Sequence, residues 1–130
     1  MIVVDASALL EVLLGTATGA RLEDRLLSQG ESLHAPHLLD VEVAQVLRRY
    51  AAAGELTPER GLEALMDLAD FPVYRYPHDA LLPRIWELRH NVTAYDAAYL
   101  ALAESLAAPL VTCDARLRSA PQHSALVEVY

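Results

Sequence analysis

The chain has no lysine: all ten of its basic residues are arginine. That excludes Schiff-base chemistry on a lysine, the P-loop lysine and the lysine of a phospho-acceptor receiver domain. There is one cysteine, Cys113, and so no internal disulfide, which fits a reducing compartment. With no basic activator beside it in sequence, Cys113 reads as a small buried thiol and not as a nucleophile. No stretch approaches the roughly 20 apolar residues that a membrane span needs. Ile2-Val3-Val4 is too short for the core of a signal peptide, and Asp5 follows it at once. A cytoplasmic protein is therefore expected. His34 and His37 flank Pro36, and no Cys or His completes a zinc set with them, so surface or capping places are expected for both.

What is present supports a single domain over residues 1–130, long enough to bury roughly two-thirds of its unfolded surface. Its 54% apolar content argues for a packed core and against disorder. The net charge of −8 offers no basic footprint for nucleic acid, although it would attract a basic partner.

No linker or repeat interrupts the chain. Ile2–Asp5 reads as a short buried strand, and Ala6–Leu14 as a helix stopped by Gly15. Thr18–Ser28 forms a second, amphipathic helix. Leu33–Ala35 is a strand, and Pro36 suits the first turn of the helix that follows. That helix, His37–Ala53, carries apolar residues at three- and four-residue spacing and ends at Gly54. Thr57 and Pro58 start another, with Thr as N-cap and Pro at the first helical position, running to about Asp70. Val73–Tyr76 is a strand and Ala80–His90 a helix. Thr93–Ala107 is apolar all round, which predicts a buried helix. Leu110–Thr112, Asp114–Arg118 and Leu126–Val129 complete the series as strand, short helix and strand. Alternating strands and helices predict an α/β fold: a central, mostly parallel sheet of four to five strands between two helical layers.

Four acids sit where the apolar pattern breaks: Asp5, Glu42, Asp96 and Asp114. In an open parallel sheet, strand C-termini and helix N-termini share one edge, where ligands bind. Asp5 and Asp114 follow strands; Glu42 and Asp96 lie early in helices. The four can therefore meet at one point. Carboxylates about 4 Å apart repel by roughly 4 kcal/mol per pair at an effective dielectric near 20, and a divalent cation is the usual remedy. Each acid also has a structural role open to it. Asp5 and Asp114 suit helix caps, and Thr93-x-x-Asp96 resembles a capping box. Glu42 is the hardest to place that way, because it borders the apolar stripe of its helix. Asp40, pointing roughly 200° away from it, reads as a solvated first-turn acid. Magnesium takes hard oxygen ligands and keeps several waters, so such a cluster suits metal-assisted hydrolysis of a phosphodiester. Ser7 and Thr112, two residues from Asp5 and Asp114, are placed to orient carboxylates or ligand waters, or serve only as helix-start and strand polarity.

The segments Val3-Val4-Asp5-Ala6-Ser7-Ala8-Leu9-Leu10, Glu42-Val43-Ala44-Gln45-Val46-Leu47, Thr93-Ala94-Tyr95-Asp96-Ala97-Ala98-Tyr99-Leu100 and Leu110-Val111-Thr112-Cys113-Asp114-Ala115-Arg116-Leu117 resemble, in order and spacing, the four motifs of PIN-domain ribonucleases. With almost nothing beyond that domain, the chain looks like a VapC-type toxin of a bacterial toxin–antitoxin pair. The resemblance implies a PIN-like three-layer fold and a magnesium-dependent endoribonuclease, with manganese as a substitute. Asp5, Glu42, Asp96 and Asp114 would be its metal-binding and catalytic acids, with Thr112 at a position often held by Ser or Thr. It also implies a homodimer, an RNA substrate and a basic VapB-type antitoxin whose C-terminal segment covers the acidic cleft. Two other readings stay open. One is a housekeeping nuclease of the same fold that processes nucleic acid. The other is a non-catalytic module that uses the acidic cleft to bind a basic peptide.

Overall fold

The computed structural model describes residues 1–130. Five strands make one sheet: β1 (Ile2–Val4), β2 (Leu33–Pro36), β3 (Val73–Tyr76), β4 (Leu110–Thr112) and β5 (Val127–Val129). All are parallel, in the order β3-β2-β1-β4-β5. Central β1 is short, buried along its whole length and apolar throughout, as a strand covered on both faces must be.

Seven helices connect the strands: α1 (Ala6–Leu13), α2 (Ala17–Leu26), α3 (Leu38–Ala52), α4 (Pro58–Asp70), α5 (Leu82–Glu87), α6 (Ala94–Leu106) and α7 (Ala115–Ser119). The chain runs outward from β1 to β2 and β3, then returns past β1 to β4 and β5. With right-handed crossovers this reversal puts α1–α4 on one face and α5–α7 on the other. The packing agrees: α1 to α4 contact one another, while α6 lies across β1, β2 and β4 with α5 beside it. Gly19 lets α2 approach α1 closely, because a β-carbon there would stand 2.1 Å from the Glu11 carbonyl oxygen.

Local chemistry sets the element ends. Thr16, Thr57 and Thr93 accept backbone N–H groups at the starts of α2, α4 and α6. The expected buried helix is α6, whose residues Ala97–Ala103 are all buried. Two expectations are corrected. Pro36 is the last residue of β2, not part of a helix. Pairing of β2 with β1 stops at His34, so no ladder bond is lost to the missing proline N–H on that side. The helix expected over Ala80–His90 is a 3-10 turn at Asp79–Leu81 followed by the shorter α5. Pro83 explains the break, since proline is tolerated only in the first turn of a helix.

The sheet order reverses at β1 and β4. Doubly wound sheets open a crevice there, outside the C-terminal ends of the strands.

Candidate active site

Asp5 leaves the end of β1 and Asp114 stands two residues beyond β4, on either side of that crevice. Asp5 fills both roles open to it. Its Oδ1 accepts the Ala8 N–H at 3.1 Å and so caps α1. It also takes two short hydrogen bonds of 2.6 Å, from Ser7 Oγ to Oδ1 and from Thr112 Oγ1 to Oδ2. Each hydroxyl in turn accepts a backbone N–H from the loop after β4: Ser7 Oγ from Cys113 at 3.0 Å, Thr112 Oγ1 from Asp114 at 2.9 Å. Two relays therefore tie the β4–α7 loop to one carboxylate. Only 7% of Asp5 is exposed. Burial raises its carboxyl above the usual range despite those donors, and the charge of Asp96 adds to the rise.

Glu42 sits in the second turn of α3, with Oε1 accepting the hydroxyl of Tyr99 at 2.8 Å. Burial raises its carboxyl too; the Tyr99 bond opposes the rise, and the charges of Asp5 and Asp96 reinforce it. Asp96 occupies the third position of α6, its N–H held by Thr93. Its carboxyl is raised by burial and then by the charge of Asp114. Asp114 differs. It caps α7 and carries the guanidinium of Arg116, with Nη2 at 2.6 Å and Nε at 3.0 Å, which holds its carboxyl below the usual range.

All four acids, together with Ser7, line one cleft of about 910 Å³. Asp5, Glu42 and Asp96 are each raised by the charge of another acid of the cleft, which marks a site short of positive charge. No three acidic, histidine or cysteine side chains close around a single point tightly enough to cage an ion by themselves. The donor set is hard oxygen, suited to an ion that takes one or two carboxylates and fills its remaining positions with water.

Several further residues line the cleft, and nothing in the sequence pattern marks them as part of it. Glu11 lines it from α1, four residues after Ser7 and hence on the same helix face. Arg49, His37 and His78 line its other side. His78 accepts the Leu38 N–H at 3.0 Å and thereby starts α3, a capping role expected of His37. Tyr99 was hidden in the apolar run of α6, although its place three residues after Asp96 puts both on one face. Cys113 is half-buried on the cleft wall, its thiol pushed up by burial and then by Asp5 and Glu11.

Two residues outside the cleft also differ from expectation. His34 is buried in β2, with Ser32 Oγ at 2.8 Å and Tyr76 Oη at 2.7 Å from its ring nitrogens, and is not a surface residue. Asp40 is ion-paired with Arg75 of β3 at 2.8 Å and is not simply solvated.

The PIN domain family profile matches residues 2–122. Ribonuclease VapC12 of Mycobacterium tuberculosis is 40% identical over 129 residues, covering 99% of this chain and 98% of that protein. Ribonuclease VapC9 of the same organism is 48% identical over 122 residues, covering 94% and 92%. The crystal structure of VapBC2 from Rickettsia felis, bound to a DNA fragment from their promoter, superposes with a TM-score of 0.72 over 99% of this chain and 98% of that one. At 13% identity it shows the shared fold alone. On the family profile and on relatives this similar over nearly the full length, the chain belongs to the PIN-domain family and, within it, to the VapC ribonucleases.

Proposed function

We propose that this protein is the toxin of a toxin–antitoxin pair and cleaves RNA at a divalent-cation site formed by Asp5, Glu42, Asp96 and Asp114. The observation that carries the proposal is their convergence: four acids from four distant segments line one cleft at the reversal of the sheet order. The names of the relatives supply the reaction, RNA hydrolysis. The hard oxygen donors of the four acids favour magnesium, with manganese as a substitute.

A bound cation would neutralise charge on the scissile phosphodiester and make its water a better nucleophile. The chain's own groups do the rest. Ser7 and Thr112 fix both oxygens of Asp5, so that carboxylate needs no reorganisation when substrate arrives. Tyr99 occupies Oε1 of Glu42, leaving Oε2 to accept a proton from a water. Without a cation, burial raises the affinity of Glu42 for protons, and a bound cation would oppose that rise. Asp96, at the start of α6, has the N-terminal dipole of that helix beneath its charge.

The partner of the cleft is a basic antitoxin segment of VapB type. The net charge of −8 attracts it, and within the cleft the acids outnumber Arg49 and Arg116. The protein works as a homodimer in the reducing cytoplasm. No helix is long and apolar enough to cross a membrane.

The test is cleavage of total cellular RNA by purified, antitoxin-free protein with magnesium, with manganese and with chelator. Cuts that need the metal are expected. No cuts under any metal would favour the non-catalytic reading, a cleft that only binds a basic peptide. A small neighbouring gene for a basic protein separates a toxin from a housekeeping nuclease.

A further inference from the structure

The middle of α6 is buried on every side, and Tyr99 is its one polar side chain between Ala97 and Ala103. Only 2% of Tyr99 is exposed. Phenylalanine would fill nearly the same space, so packing does not account for the hydroxyl. That hydroxyl makes the one hydrogen bond to the Glu42 side chain, at 2.8 Å to Oε1. The phenol also lies near enough to Asp5, the residue before α1, to feel the charge of its carboxylate. A single buried oxygen thus ties the second turn of α3 to the core of α6, beside Asp5.

We propose that Tyr99 is a positioning residue for the cation site: its hydroxyl holds Glu42 beside the start of α1, next to Asp5, with Oε2 free for the cation or its water. The proposal rests on the reading that Glu42 belongs to a cation site. Glu42 is a long side chain with several rotatable bonds, and half-burial alone leaves its carboxylate several orientations. One donor anchored in the rigid core selects among them, and residues that orient metal-binding carboxylates in this way are commonly worth about 10-fold or more in metal affinity.

The experiment is manganese binding to the full-length protein, read from the electron paramagnetic resonance signal of the free ion, without RNA. It compares the unaltered chain with Tyr99→Phe, Glu42→Gln and the double variant. Thermal melting confirms that each is folded. Tyr99→Phe is expected to weaken manganese binding roughly 10-fold. In the Glu42→Gln background the same change should have almost no further effect, because the hydroxyl then has no carboxylate to hold. RNA cleavage by Tyr99→Phe should recover as manganese is raised, with KM for RNA unchanged. Equal losses from Tyr99→Phe in both backgrounds would overturn the proposal, because Tyr99 would then act through the fold and not through Glu42. Unchanged binding by Tyr99→Phe, or failure of that variant to fold, would overturn it too. If the unaltered chain binds no manganese, the cation-site reading falls and takes the role of Tyr99 with it.

Discussion

Replacing Thr112 with valine removes one oxygen and almost no volume from a side chain that is fully buried. That oxygen donates to Asp5 Oδ2 at 2.6 Å and accepts the Asp114 N–H at 2.9 Å. Losing a hydrogen bond to a buried carboxylate costs about 2 kcal/mol, and leaving the N–H without its acceptor costs about 1 more. Thr112→Val should therefore destabilise the fold by about 3 kcal/mol. Thr112→Ser keeps both bonds and forfeits a buried methyl, for about 1 kcal/mol. At roughly 3–5 °C per kcal/mol for a domain of this size, valine should lower Tm by about 10 °C and serine by about 4 °C. The pH dependence follows from Asp5. Its carboxyl is already held above its ordinary value of 3.8, and loss of a donor raises it further. The folded chain then keeps a proton that the unfolded chain gives up, so stability falls as pH rises from 3.8 through the raised folded value. The gap between the valine and serine variants should widen from acid to neutral pH. Chemical denaturation at several pH values measures this. Matching midpoints for the two variants at neutral pH, with parallel pH profiles, would refute the reasoning.

His34 gives the opposite sign. Burial and then the charge of the N-terminal amine hold it below its ordinary 6.5, so the unfolded chain takes up a proton that folded His34 refuses. Its share of stability is complete above 6.5 and is lost as pH falls below that value; His34→Gln should remove this loss, and equal denaturation profiles for the two proteins below pH 6.5 would contradict it. At Gly19 a β-carbon would meet the backbone of α1 at 2.1 Å, so Gly19→Ala should cost about 3 kcal/mol. Gly61→Ala, whose β-carbon meets only the Leu56 side chain at 3.6 Å inside α4, should stabilise by about 0.5 kcal/mol. Thermal melting of these two variants checks the opposite signs, and a Gly19→Ala protein as stable as the unaltered chain would contradict the close approach of α1 and α2.

The parts of the fold that were legible in sequence are those set by local chemistry. Thr57-Pro58 and Thr93 announce their helices because a cap acts within three residues, and β1 and β4 stand out as short apolar runs. The errors came where a partner distant in sequence decides. Pro36 belongs to β2 because β3 continues alongside it after β1 has ended, and nothing near Pro36 records that. Asp40 looked solvated because Arg75, its partner, lies 35 residues away on another element. His34 looked superficial until Tyr76 and Ser32 closed around it. In the site, the four acids were readable because each interrupts an apolar pattern at a strand end or early in a helix. Tyr99 interrupts nothing, since a tyrosine in a buried helix is ordinary until its hydroxyl is seen to end on Glu42.

The central claim is that these acids serve catalysis at the expense of the metal-free fold. Burial and the charge of another acid of the cleft raise the carboxyls of Asp5 and Asp96, so neutral replacements relieve a strain that a cation would otherwise balance. The most direct measurement is RNA cleavage with magnesium by purified Asp5→Asn and Asp96→Asn, each melted beside the unaltered protein without metal. The account predicts that cleavage disappears while Tm is unchanged or higher. Cleavage that survives in either variant, or that vanishes only because the variant has unfolded, would contradict it.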